Sequence, residues 1–296
     1  MSSPTSATGA TLHGARAVVA GSSRGIGFAV ARALVGEGAS VVVNGRDEGA
    51  ALAAAEALSA AGGSTVAVPG NVADEVVAQE LINASVLSFG GVDIVINCAG
   101  TAEPTGASIL TMTTYEFFAQ LAAHLVSSFE LVRAAAPLLV EQGSGAVVLT
   151  GSAASSGMFG GTGYPAAKGG VNSLAMALAA DLRPHGVRVN VVCPGGRTRL
   201  STGDDYRAHI NDLHERGLLD ADTRDLALDP APPDYVAPLY AYLAGDLASA
   251  VTGEIFSASG GFIGRYPQFQ PEFVAYRGHD DAPPYTVAEL AQIVTG

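Results

Sequence analysis

Two kinds of apolar segment alternate along most of this chain, and that rhythm restricts the fold more than any other feature. Short runs rich in β-branched residues, "ARAVVA", "SVVVN", "TVAVPG", "VDIVIN", "GAVVLTG", "VRVNVVCPG" and "GEIFSAS", are separated by longer Ala/Leu-rich stretches of helical period. A strand buried on both faces reads as a continuous apolar run, and parallel neighbours need a long crossover between them. The rhythm therefore predicts an α/β fold, a doubly wound parallel sheet of about seven strands in a single domain. Connecting helices are expected over 25–38, 48–61, 73–89, 114–141, 164–183 and 233–244.

Composition supports a large buried sheet, with 48% apolar and only 15% charged residues among 296. The formal net charge of −13 repels phosphate backbones and anionic membrane surfaces, so neither nucleic acid nor a membrane is an expected partner. Cys98 and Cys193 are the only cysteines, which suggests neither a disulfide framework nor a metal site and fits a reduced, cytoplasmic setting. The first residues, 1–13, lack a basic region followed by an apolar one and read as a flexible N-terminus. Residues 195–232 break the rhythm with many charges and close on "PAPP", which reads as a partly helical substrate lid beyond the carboxyl end of a strand. A C-terminal extension, 263–296, is rich in aromatics and prolines that suit either a neighbouring subunit or the chain's own core.

Directly after the first apolar run comes "AGSSRGIGFAVARAL", with Gly21, Gly25 and Gly27 leading into a helix. Glycines there permit positive φ and let backbone N–H groups approach a pyrophosphate at a helix N-terminus, where the dipole favours negative charge. The loop residues Ser23, Arg24 and Ile26 belong to the same cradle. At the end of the second strand, where a carboxylate would hold a ribose 2′-OH, the sequence has Asn44, Gly45 and Arg46. Arg24 and Arg46 can clasp a 2′-phosphate instead, which favours NADP(H); the alternative leaves both arginines in solvent and gives the ribose to Asp47.

Tyr164 and Lys168 stand four residues apart, on one face of a helix beginning near Tyr164. A free phenol titrates near 10 and is a poor acid or base at neutral pH, but an ammonium beside it favours the phenolate. The pair is expected to lower the phenol's pKa and serve a carbonyl–alcohol interconversion.

"AGSSRGIG" at 20–27, "NCAG" at 97–100, "SAAS" at 152–155, "YPAAK" at 164–168 and "CPGG" at 193–196 occur in the order and spacing of the classical short-chain dehydrogenase/reductases. The resemblance covers about residues 12–262 and implies a Rossmann-type sheet, a nicotinamide cofactor, hydride transfer at a carbonyl carbon and a homo-oligomer, dimer or tetramer. It makes Tyr164 the acid/base and Lys168 the residue that tunes it and binds the nicotinamide ribose. It also implies that Asn97, Ala99 and Gly100 close over the cofactor, that Asn71 lies by the adenine with Val72 also cofactor-binding, and that Pro194, Gly195 and Thr198 lie by the carboxamide. The distal part resembles the 3-hydroxyacyl-CoA dehydrogenase domain of peroxisomal multifunctional enzymes.

Two departures touch the chemistry. The family's substrate-polarising serine usually stands thirteen residues before the tyrosine, and that position is Gly151; Ser152 is the expected replacement, ahead of Ser155. His124 stands where the family has an asparagine that holds a proton-relaying water. It can keep the backbone role and add a titrating imidazole, block the water, or be a buried histidine satisfied by a neighbouring carbonyl. The expectation is an NADPH-dependent carbonyl reductase or secondary alcohol dehydrogenase, with catalytic Ser152, Tyr164, Lys168 and His124. The rivals are a lyase, isomerase or cyclase on the same fold, or a cofactor-binding protein of reduced activity.

Overall fold

A computed structural model describes residues 11–104, 106–199, 201–267, 271–280 and 282–295. The strands are β1 (Arg16–Ala20), β2 (Ser40–Gly45), β3 (Thr65–Pro69), β4 (Ile94–Asn97), β5 (Gly145–Thr150), β6 (Val187–Gly195), β7 (Ile255–Ser259) and β8 (Phe262–Arg265). They form one sheet in the order β3-β2-β1-β4-β5-β6-β7-β8. The first seven are parallel and β8 runs antiparallel to β7. The central strands bury consecutive apolar residues, Ala17–Ala20 in β1, Ile94–Ile96 in β4 and Ala146–Leu149 in β5, because helices cover both faces, as the continuous runs require. β8 is absent from the expected seven: Gly260, at φ +54°, and Gly261 turn the chain tightly enough for Phe262 to pair with Ser259.

The helices are α1 (Gly25–Gly36), α2 (Glu48–Ala60), α3 (Glu75–Phe89), α4 (Thr114–Leu121), α5 (Ser127–Gln142), α6 (Gly163–Leu182), α7 (Asp204–Glu215), α8 (Ala221–Leu228), α9 (Ala237–Ala244) and α10 (Val287–Thr295). Asp47 and Asp74 cap α2 and α3 with their side chains, and Thr113 with Glu116 forms a capping box on α4. Asp74 is thus the reason α3 starts at 75 rather than 73. α9 starts at 237 because Pro232 and Pro233 lead a 3₁₀ turn, where a missing N–H costs nothing. One π turn, Ala122–Val126, joins α4 to α5.

One buried cluster joins α1, α2 and α9 to one face of the sheet, and a second joins α3, α5 and α6 to the other. The rod Thr114–Gln142 is long and apolar enough to cross a membrane by length and composition, yet Leu131, Val132, Ala135 and Leu139 are fully buried in that second cluster. The expected flexible N-terminus lies outside the described residues up to residue 10; Thr11 is bonded to Glu37 and Leu12 is buried. The insert carries two helices: α7 and α8 enclose Ile210, Leu213 and Leu219, with Phe159 and Tyr206 packed on them.

Residues up to Tyr266 form one compact unit and Pro267–Gly296 a second. The second therefore begins at 267, not 263, because β8 belongs to the sheet. Within it Arg277 pairs with Glu289 of α10 and lies 4.0 Å from the Tyr285 ring centroid.

Candidate active site

The strand order reverses between β1 and β4, where Ala20 pairs with Asn97, and the crevice beyond those carboxyl ends is where an open α/β sheet takes its ligand. The glycine loop after β1 is built for close backbone approach. Gly21 has φ +72°, and a Cβ on it would fall 2.5 Å from Ala99 N; a Cβ on Gly27 would strike Gly21 O. Thr198, in the turn after β6, reaches the same loop, with Cγ2 3.6 Å from where a Gly25 Cβ would stand. Ile26 meets Gly196 in the same way, at 3.7 Å, so "GSSRGIG" and "CPGG" form adjoining walls.

Two of the expected cofactor contacts build the cradle instead of lining it. Asn44 is buried, its Oδ1 accepts from Gly21 N (3.1 Å), and its Nδ2 donates to Val68 O and Gly70 O. Asn97 is buried as well: its Oδ1 accepts from Ala99 N (2.9 Å), and its Nδ2 donates to the hydroxyls of Ser127 and Ser128. Both amides spend their polar atoms shaping loops, because an unsatisfied buried amide is costly. Val72 is likewise buried, while Asn71 is exposed and turns its Oδ1 back to Ala73 N. Pro194 and Gly195 are paired with Ala258 and Ser259 of β7.

Arg24 and Arg46 are exposed, and neither has a carboxylate partner among the described residues. Ser23 packs beside them, with its hydroxyl pressed on Gly45. Asp47, the alternative ribose ligand, accepts from Ala50 N (2.7 Å) as the α2 cap.

Tyr164 lies in the first turn of α6, with the Lys168 Nζ 5.8 Å from its ring centroid. Lys168 is buried and donates to Thr150 O at 2.7 Å; burial brings its pKa down to about 8. The expected lowering of the phenol's pKa is not what the protein alone shows. Burial raises it, negative charge on Cys193, present only once that thiol ionises, and on Glu103 adds to the rise, and only the Ser152 side chain opposes it. The ammonium points at Thr150 O rather than at the phenol oxygen, which explains why it does not dominate. Burial also pushes the thiols of Cys98 and Cys193 up to about 11, so both stay protonated and unreactive.

Ser152 faces the phenol, and its hydroxyl accepts from Ala154 N at 3.1 Å. Ser155 is spent elsewhere, donating to Ser152 O and accepting from Asn172. The serine cannot sit one residue earlier, since a Cβ on Gly151 would lie 2.6 Å from Asn172 Oδ1 and 2.7 Å from both Cys193 Sγ and Val191 Cγ1.

His124 sits in the π turn, and its ring meets Tyr164 edge-on with centroids 5.0 Å apart. Its carbonyl accepts from the hydroxyls of Ser127 (3.2 Å) and Ser128 (2.7 Å), so the backbone is not open to a relay water. Nor does the imidazole titrate near neutrality: burial and the Lys168 charge bring its pKa down to about 2. Nε2 lies 3.1 Å from Thr101 O, the satisfied-histidine outcome, while the buried Nδ1 has no partner. The ring occupies the space a Gly100 side chain would need, 2.6 Å from Nδ1. His124 therefore shapes the site as a neutral ring.

Four residues at the site carry no sequence signal. Ser127 and Ser128 hold the π turn, Tyr206 of α7 is close enough to Tyr164 for their charges to interact, and Glu103 bonds to the start of α6.

A family described as enoyl-(acyl carrier protein) reductase matches residues 20–263. A 3alpha-hydroxysteroid dehydrogenase of Mediterraneibacter gnavus is 34% identical over 248 residues, 82% of this chain and 95% of that protein. The chain is a short-chain dehydrogenase/reductase. A hydroxyacyl-CoA dehydrogenase of Mycobacterium tuberculosis is 34% identical to this chain over 203 residues, 66% of this chain and 59% of that protein. The crystal structure of a short-chain dehydrogenase from Mycobacterium avium matches it with a TM-score of 0.78 and 30% identity, covering 96% of this chain and 94% of that one. The short-chain dehydrogenase/reductase is thus an oxidoreductase of hydroxyl or carbonyl substrates with a Rossmann-type sheet and, by family, a nicotinamide cofactor. Its residues fit such a group, since the cradle at Gly21 and Gly27 leaves no room for a Cβ and presents the N-terminus of α1.

The position of Lys168 has a pH consequence for this oxidoreductase. Its ammonium loses its proton as pH rises through about 8, so cofactor affinity that depends on that charge weakens above about 8 and is intact below. Fluorescence titration of the cofactor should show this rise in Kd, and Lys168→Met should flatten it. A flat wild-type profile would contradict the role of the charge.

Proposed function

We propose that this chain is an NADPH-dependent carbonyl reductase and secondary alcohol dehydrogenase. The observation that carries the reading is the convergence of Ser152 and Tyr164, with Lys168 anchored nearby on Thr150 O and the glycine cradle packed on the Ala99–Gly100 segment that the His124 ring, edge-on to Tyr164, also meets. A nicotinamide held there supplies the hydride in reduction and accepts it in oxidation. Ser152 hydrogen-bonds the carbonyl oxygen and stabilises developing negative charge, and Tyr164 gives that oxygen its proton. The raised pKa of the phenol keeps the donor protonated at neutral pH, which suits reduction.

NADPH is favoured over NADH because Arg24 and Arg46 are exposed and available to donate charge-assisted hydrogen bonds to a 2′-phosphate, while Asp47 is spent on its helix cap. Replacing both arginines by Ala should raise the Kd for NADPH about 10–100-fold, or ~1.4–2.8 kcal/mol in all at ~1.4 per decade, because solvent screening leaves each exposed charge worth about 1 kcal/mol, and leave NADH unchanged. An unaltered NADPH/NADH ratio would refute the assignment.

The substrate is a neutral, apolar ketone. The insert packs its own Tyr206, and Phe159 from the loop before α6, on its small core and carries more acidic residues than arginines, which disfavours a polyanionic coenzyme A thioester. We read α7 and α8 as the substrate lid, since His209 reaches Phe159 O in the loop between Ser152 and Tyr164. NADPH oxidation should be assayed with a 3-oxosteroid and with a 3-oxoacyl-CoA, and turnover of the thioester alone would overturn this choice. A homo-oligomer is part of the same proposal.

A further inference from the structure

Helix α6 carries both Tyr164 and Lys168, yet it supplies no cap of its own: Thr162, at the cap position, makes no side-chain bond to the first turn. Free N–H groups in a first turn need acceptors. Here they come from Glu103, 60 residues upstream of Gly163, in the segment after β4. One oxygen, Oε1, accepts from the backbone N–H of Thr162 (3.0 Å), Gly163 (2.6 Å) and Tyr164 itself (3.1 Å). The chain wraps round the carboxylate through Gly160 and Gly161, at φ +64° and +81°, and a Cβ on Gly161 would strike Oε2.

Glu103 does not hang on a free loop. Thr101 is held by the His124 ring, Ala102 O accepts from Gln120 Nε2 (2.9 Å), and Glu103 takes α6. Three consecutive residues thus tie α4, the π turn and α6 to the segment that begins at Asn97, where the glycine loop packs.

Resting on the proposed acid/base role of Tyr164, we propose that Glu103 is a positioning residue of this site: it caps the turn that carries the phenol and fixes a negative charge beside it. The cap sets where the phenol oxygen points. The charge works on its ionisation, and it acts among known neighbours. His124 on the π turn is neutral, Cys193 on β6 and Tyr206 on α7 are neutral while protonated, Ser152 hydrogen-bonds toward the phenol, and Lys168 on α6 carries the opposite charge. Removing the negative charge makes phenolate easier to form.

Two substitutions separate the cap from the charge. Glu103→Gln keeps a carbonyl oxygen that can accept the same N–H groups but removes the charge; Glu103→Ala removes both. In Glu103→Gln the acidic limb of alcohol oxidation, which needs the phenolate, should move down by about half to one pH unit, with kcat within about threefold of wild type. In Glu103→Ala kcat should fall about 10–100-fold while the cofactor Kd stays within about threefold.

The probe alcohol is a 3α-hydroxysteroid, and two NMR readouts need no turnover. Amide exchange at Gly163 and Tyr164 should quicken at least about tenfold in Glu103→Ala and stay slow in Glu103→Gln. The 13Cζ resonance of Tyr164, assigned with Tyr164→Phe, should titrate at lower pH in Glu103→Gln than in wild type. Unchanged exchange in Glu103→Ala, or an unmoved phenol titration in Glu103→Gln, overturns the proposal. Full activity of Tyr164→Phe would instead sink the functional reading, so the two failures are distinct.

Discussion

Tyr164→Phe is expected to lower kcat for ketone reduction about 10³-fold, some 4 kcal/mol of barrier at ~1.36 per decade, within the range that a positioned acid supplies. The change removes one oxygen and leaves the machinery around it. Lys168 keeps its bond to Thr150 O, the glycine cradle is untouched, and the ring still meets His124 edge-on. Cofactor affinity and Tm should therefore match wild type, and the loss should appear in kcat rather than in KM, since the proton is given only in the transition state. Single-turnover NADPH oxidation with a 3-oxosteroid checks this. A Phe variant that reduces the ketone at the wild-type rate excludes Tyr164 as the acid and with it the whole reading of the site.

Much of the fold was legible because its cause is local. β-branched runs such as "SVVVN" can only be strands buried on both faces, and Gly21, Gly25 and Gly27 mark a turn that no other residue fits. Tyr164 and Lys168 were legible from their spacing on one helix. What stayed hidden depends on partners far along the chain. The position of Asn44 was readable from β2, but not that its amide turns back to Gly21 N, because that direction is set by β3 carbonyls. The π turn at His124 is tied to β4 through the Ser127 and Ser128 hydroxyls that Asn97 gathers, and a repeat of helical period shows nothing of it. Ionisation was the least legible property. An i, i+4 ammonium promised a lowered phenol pKa, whereas burial, which no spacing reports, raises it. Glu103 is a lone acid in a loop, with no pattern to link it to α6.

The displaced serine gives the other large effect. Ser152→Ala should lower kcat about 10²–10³-fold, the usual cost of removing one hydrogen-bond donor to a developing oxyanion. Shifting the hydroxyl back to the family's usual place, in Gly151→Ser/Ser152→Ala, should not restore the rate. The new Cβ would stand 2.6–2.7 Å from Asn172 Oδ1, Cys193 Sγ and Val191 Cγ1, all held by β6 and α6, so the overpacking should cost about 1–3 kcal/mol. Any hydroxyl that did fit would meet Asn172 Oδ1, a buried acceptor with no partner, and bond there instead of to the substrate. The double variant should therefore combine the Ser152→Ala rate with a Tm lower by about 2–10 °C. Recovery of the wild-type kcat at an unchanged Tm would show that β5 can present the serine from either position, and that the packing at Gly151 does not dictate where the donor stands.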